Sequence, residues 1–180
     1  MLQEADDFLN TDIIIPLRNS KYDTVTIKKD TMIFRGDYEE KKPISKELPA
    51  FFSDIITATI FTRGHSEYLY GFKVIREPTL FHLSYKNLHK LKTDKSLHEE
   101  ELKALDKYIG PFINPIDFLN PEDAPKLYLN RRILQIVCRL GYDGWLAYPE
   151  SLKQRLQGKY SFYNPEIALC DWSIFLSRVN

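Results

Sequence analysis

The longest β-like stretch of the chain runs from Tyr68 to Leu83. Its first part, Leu69 to Pro78, alternates in polarity and is rich in β-branched and aromatic residues, and a shorter apolar run follows from Leu80 to Leu83. Because proline cannot donate a ladder hydrogen bond, Pro78 predicts a break between two strands. Strands of this kind must cover an apolar face, so the chain is expected to fold around a sheet.

Shorter β segments are spread along the rest of the chain. Val25 to Ile27 alternates in polarity, and Thr31 to Gly36 reads as a strand that carries an arginine to its carboxyl end. Pro49 to Ser53 is short, aromatic and extended, and Gly141 to Ala147 reads as a turn leading into a strand. A last strand, Glu166 to Cys170, is almost entirely apolar after its first residue.

Helical spacing occurs in three places. Residues 54–62 have helical spacing, residues 87–109 form a polar helical region, and residues 129–140 form a strongly amphipathic helix. Several prolines then break the connection that follows the polar region. Residues 86–128, helical and then proline-rich, are therefore interpreted as an insertion or cover on an α+β core.

Length and composition fit a single domain spanning residues 1–180. A chain of 180 residues with 43% hydrophobic residues can bury a core without metal or disulfides. Its 25 basic and 25 acidic residues cancel, so no overall field favours nucleic acid or anionic lipid. Acidic residues interleave with the lysines between Lys86 and Lys107, which indicates a solvated helix better than a nucleic-acid surface.

Cysteine usage and hydropathy suggest an intracellular, cytoplasmic protein without membrane contact. Cys138 and Cys170 lie in apolar contexts, where a thiol is expected to act as a small buried hydrophobe, and they make no disulfide framework or metal spacing. Neither an apolar leader nor a span of about 20 apolar residues is found. The histidines also lack metal-ligand spacing, so no metal site is predicted.

Three separated motifs carry a family resemblance. They are Arg35-Gly36 at a strand end, Phe52-Ser53-Asp54 at a helix start, and a late Gly-Tyr-Asp-Gly turn followed by Glu166 opening the last strand. Together they resemble the ADP-ribosyltransferase superfamily, in which an Arg, a Ser and a Glu from three strands meet around NAD in a split mixed sheet. The matching segments lie within residues 34–37, 51–61, 69–83 and 139–175, about half of the chain. The same resemblance extends to open reading frames of large DNA viruses, which would make the location the host cytoplasm.

The resemblance implies an NAD-dependent mono-ADP-ribosyltransferase that uses NAD as substrate. Breaking the nicotinamide–ribose bond builds positive charge on the sugar, and a fixed carboxylate stabilises it; Glu166 is the candidate. Arg35 would hold phosphate or ribose with its planar, permanently charged guanidinium. Ser53 would bind the ribose or orient Glu166. The expected acceptor is a macromolecule, a protein in preference to a nucleic acid.

Further cofactor contacts are expected beside these three residues. The backbone of Gly36 would approach the nicotinamide amide, Phe52 would stack on the ring, and Asp54 would add a second carboxylate. Simpler interpretations stay open: Ser53 or Asp54 as a helix cap, and Glu166 as a solvated carboxylate at a strand edge. Asp143 is interpreted as a turn residue with no catalytic part.

The sequence also departs from the best-known members of the superfamily. Asn164 stands two positions before Glu166, where arginine-modifying members carry Glu and several others Gln. Phe52-Ser53-Asp54 replaces the usual Ser-Thr-Ser pattern. A weak transferase, an NAD glycohydrolase, and an inactive scaffold acting as a protein-interaction module therefore remain alternatives. Tyr160, Phe162 and Tyr163 would form a target-binding loop before Glu166.

Overall fold

The computed structural model describes residues 13–18, 21–37, 50–55, 58–59, 62–83, 85–109, 131–147 and 166–179. The strands in these ranges are β1 (Ile14–Arg18), β2 (Asp23–Ile27), β3 (Met32–Gly36), β4 (Ala50–Phe52), β5 (Leu69–Val74), β6 (Leu80–His82), β7 (Gly144–Ala147), β8 (Glu166–Leu169) and β9 (Leu176–Arg178). The α-helices are α1 (Tyr85–Lys92), α2 (Glu99–Ile109), α3 (Arg131–Arg139) and α4 (Trp172–Phe175). The predicted mixed α+β class is confirmed.

The strands form two sheets. The first sheet has six strands in the order β1-β2-β6-β7-β8-β4, and the second has three in the order β3-β5-β9. β6 and β7 pair in parallel, whereas the other neighbours in the first sheet pair antiparallel, so that sheet is mixed. The predicted break at Pro78 separates β5 from β6, which lie in different sheets. The sequence analysis does not predict β9, which is only three residues long.

Alternation along the central strands gives the first sheet two apolar faces. One set, Phe81, Trp145 and Ala168, packs with buried residues of α3 such as Ile133 and Val137; we call this side the helix face. The neighbouring set packs with residues of the second sheet, on what we call the inter-sheet face. Its members include Leu80, Leu146, Ile167, Ile33 and Phe72. The first sheet is thus covered on both faces.

Helices α1 and α2 pack on the helix face. They contribute Leu88, Leu91 and Leu105 to its buried cluster. Arg139 at the end of α3 donates from Nε and Nη2 to both carboxylate oxygens of Glu101 on α2, at 2.8 and 2.6 Å. This paired contact holds the two helices together. No described helix is long and apolar enough to cross a membrane.

A buried carboxylate connects the start of the chain to the α1–α2 connection. Asp94 is 6% exposed and accepts hydrogen bonds from Tyr22 Oη, Lys21 Nζ at 2.8 Å, and both Oγ and the backbone N of Ser96. Burial alone would raise the pKa of Asp94, but these donors outweigh burial and leave the pKa below its ordinary value. Asp94 is therefore a satisfied structural anion.

Cys138 and Cys170 form a disulfide, which corrects the prediction of two separate buried thiols. The sequence argument failed because it considered local context, whereas the pairing depends on where α3 lies over the sheet. Cys138 is in the last turn of α3 and Cys170 directly follows β8. Their Cα atoms are 5.9 Å apart, within the range for a disulfide.

The turn before β7 uses its glycines for backbone geometry, as predicted. Gly144 has φ +156°, and a Cβ added there would lie 1.9 Å from the carbonyl oxygen of Ala168. Asp143 accepts a 2.7 Å hydrogen bond from the backbone N of Thr79 through Oδ2, and its own N donates to the Thr79 carbonyl at 3.0 Å. Asp143 thus joins the starts of β6 and β7.

Candidate functional site

The strands that carry Glu166, Ser53 and Arg35 lie next to one another. β8 pairs with β4 in a register that aligns Ile167 with Phe52, so one step further Ser53 stands opposite Glu166. Ser53 in turn exchanges two backbone hydrogen bonds with Phe34, both 2.8 Å long. Backbone pairing therefore runs from β8 through β4 to β3, and it joins the two sheets at this point.

Two of the three side chains share one face of the first sheet. Phe51 packs against the helix-face cluster, and alternation puts Ser53 on the same side. Glu166 follows the same rule, because its partner Ala147 belongs to that cluster. Arg35 lies on the same side of β3 as the buried Ile33, so it approaches from between the sheets. Its Nη1 donates to the carbonyl oxygen of Phe51 at 3.5 Å.

Glu166 occupies an unusual environment for a carboxylate. The residue is half-buried, and its Oε1 is shielded from solvent without a hydrogen-bond partner among the residues that the structure describes. Burial raises the pKa of Glu166 well above its ordinary value, since removing water disfavours the charged form. A solvated strand-edge acid would not have this environment. Glu166 is instead an acid whose ionisation depends on what comes to lie beside it.

Arg35 is held by an acidic neighbour on its own strand exit. Its Nε and Nη2 donate to the two carboxylate oxygens of Asp37, at 3.3 and 3.4 Å. The backbone N of Asp37 donates to the carbonyl of Tyr68 at 3.1 Å, which fixes the position of Asp37. With Nη1 on Phe51, the guanidinium still has one N–H on each terminal nitrogen available for a ligand.

Ser53 and Asp54 start a helical turn. The Ser53 hydroxyl donates to the carbonyl of Asp54 at 3.1 Å, and that carbonyl also accepts from the N of Ala58 at 3.0 Å. Ser53 is 8% exposed and Asp54 is 1% exposed. Ala58 is buried, as the helical spacing predicts. The hydroxyl of Ser53 is thus beside Glu166 in the register, but turned toward the backbone of its neighbour.

The structure places the predicted cofactor contacts Gly36 and Phe52 in different surroundings. Gly36 ends β3 opposite Leu69 and is half-buried, so its backbone lies near the strand exit. Phe52 is 2% exposed and meets Phe72 edge to face, with ring centroids 5.1 Å apart, in the inter-sheet core. A ring in that position cannot stack on a ligand, so the role predicted for Phe52 is wrong. Its neighbour Phe51 is the half-buried ring on the helix face.

Sequence reasoning missed three residues at this site. Asp37 pairs with Arg35, the Phe51 ring faces the side of Ser53 and Glu166, and the guanidinium of Arg131 lies 5.9 Å from the Phe51 ring centroid. Asp37 was visible in the sequence as an acid two residues after the arginine. The choice between Phe51 and Phe52 needed the strand register.

Some sequence predictions fall outside the described residues. Asn164, Tyr160, Phe162 and Tyr163 all do, so the proposed target loop has no structural account. Within the described ranges, no group of three or more His, Cys, Asp or Glu side chains could hold a metal ion.

No protein-family model, curated protein or solved structure matches the chain.

Proposed function

We propose that the chain is an NAD-dependent mono-ADP-ribosyltransferase, which transfers ADP-ribose from NAD to a macromolecular acceptor. One observation carries the proposal. The strands bearing Arg35, Ser53 and Glu166 are consecutive neighbours, joined by the backbone pairing of Ser53 with Phe34 and by the β4–β8 register. Residues from three distant stretches of chain are thereby brought to one end of the first sheet, where the two sheets meet.

The chemistry asks for a negative charge beside the ribose. As the glycosidic bond breaks, nicotinamide leaves with the bonding electron pair and positive charge develops on the sugar; the acceptor nucleophile then adds to the anomeric carbon and loses its proton. Glu166 is half-buried, and its Oε1 has no partner within the described ranges, so a ribose hydroxyl can donate to it in a low-dielectric setting. Such stabilisation is typically worth about 10²-fold or more in rate.

The raised pKa of Glu166 is compatible with this role. Burial raises the pKa of Glu166 and so favours its protonated form. The nicotinamide ring of NAD carries a positive charge, and an opposite charge within about 4–6 Å lowers the pKa of an acid. Substrate binding would therefore favour ionisation of the group that the transition state requires, and Ser53 would help to orient it.

The acceptor is proposed to be a protein in preference to a nucleic acid. The net charge is zero, which gives the chain no overall attraction for a polyanion. We place this protein acceptor inside the cell, in the cytoplasm.

Nicotinamide release tests the proposal. The variant Glu166→Gln keeps the size of the side chain but cannot ionise, and release should fall about 10²-fold or more. Glu99→Gln is the matched control, since Glu99 is an exposed acid on α2 paired with Lys103. It should behave as the wild type. Thermal unfolding of both variants confirms that they are folded. Equal release by wild type and Glu166→Gln, or none from the wild type, would refute the proposal.

An inactive scaffold that binds a partner protein is the second candidate. It is favoured by the pairing of Arg35 with Asp37, which already neutralises the candidate phosphate-binding cation. Calorimetry with NAD separates the two functions. The scaffold predicts no heat of NAD binding and no effect of Glu166→Gln on capture of a partner, whereas the transferase predicts saturable binding.

A further inference from the structure

Phe51 contacts two guanidinium groups from separate parts of the fold. Arg35 Nη1 donates to its carbonyl oxygen at 3.5 Å, and the guanidinium of Arg131 lies 5.9 Å from its ring centroid. The ring is half-buried on the helix face, two positions before Ser53. Two cations thus reach the same aromatic residue, one from β3 and one from α3.

The position of α3 brings Arg131 to the Glu166 end of the sheet. The Cys138 end of the helix is bonded to Cys170, which follows β8. The other end meets Phe51, whose partner on β8 is Ala168. α3 therefore runs in the same direction as β8, and Arg131 lies about 10 Å along the helix from Cys138, toward Glu166.

The charges at this place do not cancel among the described residues. Arg35 uses Nε and Nη2 on Asp37. Arg131 is exposed and has no acidic partner within the described part of the chain, whereas its neighbour Arg132 pairs with Glu100 at 3.7 Å. The two guanidinium groups, one at the carbonyl oxygen of Phe51 and one at its ring, together with the Asp37 carboxylate, leave one positive charge in excess around Phe51.

We infer that Arg131 and Arg35 together bind the diphosphate of a dinucleotide, with the Phe51 ring packed against it. This inference rests on the proposed function for the identity of the ligand. A guanidinium makes paired, charge-assisted hydrogen bonds to phosphate oxygens, and two of them match the two negative charges of a diphosphate. The diphosphate then lies between β3 and the first turn of α3, and the ribose next to it is directed toward Ser53 and Glu166.

Binding of ADP-ribose tests this inference, because ADP-ribose carries the diphosphate but no nicotinamide and needs no catalysis. The variants are Arg131→Gln and its neighbour Arg132→Gln, both at exposed positions on α3. By isothermal calorimetry, Arg131→Gln should weaken ADP-ribose binding about tenfold or more, as expected for loss of a charged hydrogen bond. Arg132→Gln should change it less than about twofold. Phe51→Leu keeps most of the side-chain volume and should weaken binding by a smaller factor.

The outcomes separate this inference from the transferase proposal. If the wild type binds ADP-ribose and both arginine variants bind equally well, the Arg131 subsite is wrong and the transferase proposal stands. If ADP-ribose binding depends on Arg131 while the wild type releases no nicotinamide, the subsite stands and the transferase proposal fails. If the wild type binds neither ADP-ribose nor NAD, both are wrong.

Discussion

Breaking the Cys138–Cys170 bond should lower stability by an amount that follows from the length of the loop it closes. The two cysteines are 32 residues apart. In the chain-entropy relation, −2.1 − 1.5R ln n with n of 32 gives about −12 cal/mol/K, or about 3.7 kcal/mol at 25 °C. For a chain of this size that loss corresponds to a fall of roughly 7–15 °C in melting temperature.

Urea unfolding of three forms measures the effect: oxidised wild type, wild type in excess dithiothreitol, and the double variant Cys138→Ser/Cys170→Ser. The free energy of unfolding of the reduced protein and of the double variant should both be about 3.7 kcal/mol lower than that of the oxidised form. Agreement between the reduced protein and the variant would show that the loss comes from the cross-link and not from the serine side chains. Thiol titration in denaturant confirms that the oxidised sample has no free thiol.

Equal stability of the oxidised and reduced forms, within about 0.5 kcal/mol, would refute this reasoning. It would mean that residues 138–170 are as restricted in the unfolded chain without the bond as with it. Two free thiols in the purified protein would instead refute the pairing itself. Disulfides are rare in the cytosol, so the intracellular location expected from the sequence makes this thiol count the first measurement.

Three further predictions concern the buried acids and the β7 turn. Glu166→Gln should stabilise the fold more at pH 8 than at pH 4, as measured by thermal melts. Burial raises the pKa of Glu166 in the folded state above its ordinary value of 4.5, so the stability of the wild type falls as the pH rises from 4.5 toward the folded-state pKa. In urea unfolding, Asp94→Asn should lower the free energy of unfolding by roughly 2 kcal/mol. Asp106→Asn breaks an exposed ion pair with Lys92 and should lower the free energy of unfolding by less than about 1 kcal/mol. Gly144→Ala should lower the free energy of unfolding by roughly 3 kcal/mol or more, because its Cβ would clash with the β8 backbone. Gly141→Ala should lower it by only roughly 1–2 kcal/mol, because Gly141 has a positive φ but open space around it.

The sequence predicted most of the strands because alternation is a local signal. The segments 31–36, 69–78, 80–83 and 166–170 each contain an observed strand. The polar helical region 87–109 overlaps two separate helices, α1 and α2. The division into two sheets could not be derived in the same way. It depends on which strands pair over long stretches of chain, and no local pattern encodes that choice.

The sequence indicates candidate site residues but not the orientation of their side chains. Arg35, Ser53 and Glu166 were selected from their motifs, and their strands are neighbours in the fold. The error at Phe52 has a simple origin, since a one-residue shift along a strand moves a side chain to the opposite face. Adjacent aromatic residues at 51 and 52 give the same hydrophobic pattern in either register, so only the pairing of β4 with β8 identifies the ring on the helix face.

Asp94 and Glu166 have opposite environments, and the contrast is the main physical argument for the proposed ligand at Glu166. Asp94 receives donors from Lys21, Tyr22 and Ser96, and its pKa falls below the ordinary value. Glu166 Oε1 has no partner in the part of the chain that the structure describes, and burial raises the pKa of this acid. A buried carboxylate oxygen without a donor lowers stability, and an apolar residue opposite Ala147 would avoid that cost. The fold supplies donors for the acid that fixes the α1–α2 connection, and among the described residues it supplies none for Oε1 of the acid where the two sheets meet, which is what the proposed function requires.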